Sequence, residues 1–96
     1  MASVPMVMQQ IRRARRECAK PPSVGQFRVY EAAYRRIFEA LDEHAGEECL
    51  DEVAEWALEW TRRQQRLPSP SRLRAEAREA CERREVDVPP ASPLLE

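Results

Sequence analysis

EECLDEVAEWALEWTRRQQRL, residues 47–67, is the stretch that decides the fold. It contains neither proline nor glycine, and Val53 and Thr61 are its only β-branched residues. The rest is mainly Glu, Ala, Leu, Arg and Gln, which lose little side-chain freedom in a helix. Glu47 and Glu48 open it and Arg62, Arg63 and Arg66 close it, complementing the helix dipole at both ends. At helical spacing, Cys49, Leu50, Val53, Ala54, Trp56, Ala57, Leu58, Trp60 and Leu67 spread over roughly 200° of the wheel, far more than the stripe a surface helix needs. A helix apolar over so wide an arc must touch neighbours on two sides.

Those neighbours are legible on either side. Upstream, Ser23 followed three residues later by Gln26 reads as a capping box, and a helix over 24–45 gathers Phe27, Tyr30, Tyr34, Ile37, Phe38 and Leu41 on one face. Gly46 suits the turn that follows it. Further upstream, a helix over 4–19 is capped by Ser3, tolerates Pro5 in its first turn and stops before Pro21 and Pro22. Its narrow apolar stripe is Val7, Ile11, Ala14 and Cys18. Downstream, Ser69 with Pro70 marks the start of a helix over 70–85, whose face of Leu73, Ala77, Ala80 and Cys81 is built of mostly small side chains.

The expected fold is therefore all-α: a small compact bundle of about four helices in one domain, residues 1–86. A Pro-rich tail over 87–96 follows, extended or disordered, with Val86 and Val88 as its docking points. Ninety-six residues leave no room for a second core. The near absence of glycine, the lack of asparagine and the single threonine argue against strands and long loops.

Charge is sorted along the chain. Residues 1–30 carry six basic and one acidic residue, residues 31–60 two basic and ten acidic, and residues 61–96 eight basic and six acidic, although the whole chain is only −1. No global field pulls such a chain toward nucleic acid or an anionic membrane. No apolar run is long enough for a membrane span or a secretory leader. The three widely spaced cysteines suit a reducing compartment, so a cytoplasmic protein is expected.

No motif carries catalysis. Cys18, Cys49, Cys81 and His44 number enough for a zinc site but lack the paired spacing that such sites use, and no residue is placed to activate a nucleophile. Neither enzyme activity, metal nor cofactor is expected. Two binding readings remain. The leading one is a non-enzymatic protein-interaction or self-associating module, with a homo-oligomer such as a homodimer expected, whose interface on the third helix comprises Trp56, Trp60, Val53 and Leu67. The alternative is a nucleic-acid-binding or regulatory module using two arginine clusters: Arg12, Arg13 and Arg16 in the first, Arg62, Arg66, Arg72, Arg74 and Arg78 in the second. It depends on whether the clusters meet in space or pair with the acidic middle helices.

Overall fold

A computed structural model describes residues 2–96 and contains four α-helices: α1 (Val4–Glu17), α2 (Val24–Ala45), α3 (Glu47–Gln64) and α4 (Pro70–Arg83). No strand occurs among the described residues. Each helix but α3 is opened by a serine whose hydroxyl accepts from a backbone N–H in the first turn: Ser3 from Met6, Ser23 from Gln26 and Ser69 from Arg72. α3 starts without a side-chain cap, directly from Gly46. That glycine sits at φ 85° and ψ 177°, a conformation essentially reserved for glycine, and it both ends α2 and begins α3.

Three helices stop two or three residues short of their expected ends, α1 and α3 for one shared reason and α4 at a C-cap of its own. α1 leaves helical geometry at Cys18, and the Ala19 and Lys20 amides donate to the Gln65 side-chain Oε1 and backbone carbonyl, at 3.2 and 3.0 Å. α3 stops at Gln64 because Gln65 turns left-handed, at φ 59°, to present those acceptors. The link between α1 and α2 and the link between α3 and α4 are thus stitched together at one end of the bundle. Leu67 and Pro68 leave the helix and are buried beneath this join.

α4 ends at Arg83 in a complete Schellman motif: Val86 donates to the Cys81 carbonyl, Glu85 donates to that of Glu82, and Glu85 adopts φ 55°. The segment beyond is extended and finishes in a short 3-10 turn, Pro93–Leu95, capped by Ser92. Its anchor is Leu94, 0% exposed between α2 and α4, whereas Val86 and Val88 are only half-buried. Arg74 and Arg78 fasten the segment by donating to the carbonyls of Pro93 and Leu94, at 3.0 and 3.3 Å.

The packing explains the wide apolar arc of α3. α2 and α3 lie antiparallel at the centre and touch each other. α1 packs against both from one side and α4 against both from the other, with no contact between α1 and α4 among the described residues. α3 therefore meets three helices. Tyr34, Phe38 and Leu41 from α2 and Leu50, Val53 and Ala57 from α3 fill the centre, closed on the flanks by Ile11 and Leu73. Ala77 and Ala80 let α4 approach closely, as their size implied. Among the described residues no helix is long and apolar enough to cross a membrane.

Candidate functional site

Of the four residues expected to form a protein interface, two are spent inside the chain. Val53 is 0% exposed and Leu67 5% exposed, so neither offers surface. Their arc is covered by α2 and the flanking helices, which a wheel drawn for α3 alone does not reveal. Trp56 and Trp60 stay half-buried one turn apart, ring centroids 6.4 Å from each other.

The eight arginines separate into three groups. Arg12 is neutralised by Glu31 on α2, at 2.6 Å, so it holds α1 to α2. Arg74 and Arg78 hold the C-terminal segment, as described, and point their guanidiniums at backbone carbonyls. The other five come together at the stitched end of the bundle. Arg13 and Arg16 from α1 and Arg62 from α3 line one open groove between those helices, of about 830 Å³, with Gln65 at its end and Met6 and Leu58 as apolar floor. Arg62 also pairs with Glu59, which it shares with Arg63. On the other side of Gln65, Arg66 and Arg72 line a smaller cleft of about 340 Å³ together with Lys20, Tyr30, Trp60 and Ser69.

Trp60 organises that second cleft. The guanidinium carbons of Arg72 and Arg66 stand 5.4 and 5.8 Å from its ring centroid, within cation–π range. The ring thus holds two like charges near each other without a carboxylate between them. Among the described residues, Arg13, Arg16, Lys20, Arg66 and Arg72 make no ion pair. The acidic residues meanwhile collect at the opposite end, where α2 passes into α3. There Asp42, Glu43 and Glu47 lack partners among the described residues, while Glu48 and Glu52 meet Arg84, and Glu52 also meets Arg83.

Arg15, the neighbour of Arg16 in the second basic pair of α1, serves the fold: it donates to the Pro22 carbonyl at 3.2 Å and lies 4.7 Å over the Phe27 ring. Tyr34 and Phe38 are wholly interior, whereas Tyr30 and Trp60 reach the cleft. Lys20 and Gln65 are contributors that sequence reasoning did not place, and Tyr30 is one that it assigned to the apolar face of the second helix. Hydrogen bonds across 46 and 45 residues of chain bring the Ala19 and Lys20 backbone to Gln65, and Tyr30 reaches the cleft from α2.

The cysteines divide differently. Cys49 and Cys81 meet across the α3–α4 contact, and burial pushes both thiols up from their ordinary range. Cys18 donates to the Ala14 carbonyl, and burial, with a smaller contribution from Glu17, raises it as well. Raised thiols are protonated at neutral pH and poor nucleophiles. His44 is half-buried in the last turn of α2. Among the described residues, no three of His, Cys, Asp and Glu gather in a way that could hold a metal ion.

Compared with known proteins, the chain finds no match: no family model, no curated protein and no solved structure aligns with it significantly.

Proposed function

We propose that this chain is a non-enzymatic nucleic-acid-binding module that works through the basic end of its bundle. The observation that carries this reading is the meeting of the two arginine clusters. Arg13, Arg16 and Arg62 in the groove and Lys20, Arg66 and Arg72 in the cleft flank Gln65 on either side, with Glu17 the only carboxylate lining either recess. Closely spaced cations on a common surface suit a polymer of repeated phosphates, and the overall charge of −1 does not oppose a local patch separated from the acidic end by most of a 36 Å molecule.

The test is fluorescence anisotropy of a labelled oligonucleotide at low ionic strength. Five to six cations engaging phosphates give a plot of log affinity against log salt with a slope of about −3.5 to −4.2 for a single strand and about −4.5 to −5.4 for a duplex. Changing Arg13, Arg16 and Arg62 together to Ala reduces the slope by about 2 to 3 and weakens binding to all sequences alike. Absence of salt-sensitive binding at about 20 mM salt, where such contacts are strongest, rejects the reading.

A second reading, association with a protein or a second copy, is favoured by the half-exposed Trp56 and Trp60 and by Met6, 46% exposed beside the groove. Sedimentation equilibrium decides it. A dimer that dissociates on Trp56→Ala supports this reading, and a monomer at all concentrations rejects self-association.

A further inference from the structure

The smaller cleft has a composition that the larger groove lacks: three cations, two aromatic rings and no carboxylate anywhere in its lining. Arg66 and Arg72 both lie within cation–π range of Trp60, which draws the two guanidiniums to one ring. α4 begins at its rim, with Ser69 in the lining, so the positive end of that helix dipole adds to the same field. Like charges gathered without a counter-charge make a site that an anion stabilises. The partly exposed rings of Tyr30 and Trp60 reach the lining beside these cations.

We propose that this cleft binds one unpaired nucleotide of a single-stranded nucleic acid. The phosphate lies between the guanidinium forks of Arg66 and Arg72 and the Lys20 ammonium, and the base stacks against the Tyr30 and Trp60 side of the cleft. This rests on the nucleic-acid reading above and narrows it to single strands. A volume of about 340 Å³ suits a single flipped-out base and excludes a duplex, whose bases stack on one another instead. A strand rather than an isolated phosphorylated group is favoured because the cations continue past Gln65 into the groove of Arg13, Arg16 and Arg62, where neighbouring phosphates of the same strand find partners.

The experiment uses the full chain carrying Trp56→Phe, which leaves Trp60 as the only indole reporter. It is titrated at low salt with an oligothymidylate of about ten nucleotides, the matching duplex, inorganic phosphate and a phosphotyrosine peptide. The expected result is quenching of Trp60 emission by the single strand at lower concentration than by any other probe. Read by anisotropy of a labelled oligothymidylate, which needs no indole, Arg66→Ala, Arg72→Ala and Trp60→Ala each weaken that binding by about tenfold, with the helical circular dichroism unchanged. Should Trp60→Ala lose its fold, Trp60→Phe and Arg72→Gln keep the packing, and the latter still weakens single-strand binding several-fold. Salt-sensitive binding that leaves Trp60 emission and the Arg66 and Arg72 variants unaffected overturns the cleft assignment and leaves the basic-end reading in place. Quenching by duplex as strong as by single strand overturns the preference for unpaired bases. Tighter binding of the phosphopeptide overturns the choice of nucleic acid. No binding of either nucleic acid removes both proposals.

Discussion

Tyr34 shows how much one side chain does here. Its ring is fully buried on α2 and packs edge-on against Phe38, and its hydroxyl donates to the Pro68 carbonyl across 34 residues of chain. Pro68 has just left α3, so this bond fixes where the connection to α4 descends. Tyr34→Phe strands a buried carbonyl and should cost about 1–2 kcal/mol at neutral pH, read from urea unfolding. Burial also pushes the phenol far above its ordinary value near 10. The folded chain therefore keeps the Tyr34 proton at pH values where the unfolded chain has lost it. Stability present below about pH 10 falls above it, by about 1.4 kcal/mol per pH unit for this group. The buried thiols of Cys49 and Cys81, raised in the same direction, start the decline near pH 9. In Tyr34→Phe the alkaline decline should be shallower above pH 10, and an unchanged slope would show that Tyr34 ionises normally in the folded protein.

Among the elements, the helix ends carry the contrasts worth testing. Glu85 and Gln65 both adopt a left-handed conformation after a helix, yet only Gln65 has side-chain partners, the Ala19 amide and the Arg62 carbonyl. Glu85→Gly removes a conformational penalty of about 1 kcal/mol, partly offset by the greater freedom of glycine when unfolded, so a net gain of a few tenths is expected. Gln65→Gly relieves the same strain but loses two hydrogen bonds and should destabilise by about 1 kcal/mol. Equal effects of the two substitutions on the thermal midpoint would contradict the stitching role of Gln65. Leu94→Ala should cost about 2–4 kcal/mol, because it empties a fully enclosed site between α2 and α4. The starts of all four helices were legible to the residue, since serine caps, proline at the first turn and Gly46 act locally. The ends of α1 and α3 were not, because what stops them is a pair of hydrogen bonds between the Ala19 and Lys20 amides and Gln65, distant in the chain, and α4 ends two residues early in its own Schellman turn. Leu94 was hidden likewise: a lone Leu pair after three prolines has no periodicity to betray its burial.

At the scale of the whole molecule, the same division separates what the chain pattern discloses about the site from what only the packing discloses. The arginine clusters and the breadth of the α3 arc were visible as composition and spacing. Which arginines remain available was not: Arg12, Arg74 and Arg78 look like their neighbours in sequence and differ only in meeting Glu31 or a C-terminal carbonyl. The arc itself looked like an excess because one helix was viewed without its three partners. Burying Val53 and Leu67 turned an expected interface into core, while Trp60 became a support for cations.

Running α2 and α3 antiparallel places every acidic residue of their junction at one pole and the α3 terminus, with its arginines, at the other. A chain that is nearly neutral is thereby a strong permanent dipole. On an ion-exchange column near neutral pH it should be retained by both a sulfonate and a quaternary-amine matrix, each grasping the opposite pole, though its pI of about 5.9 predicts only weak attraction to the second. In solution the field of a polyanion would turn the protein basic pole first before they touch. Orientation on approach is thus inherited from the order in which two helices are joined.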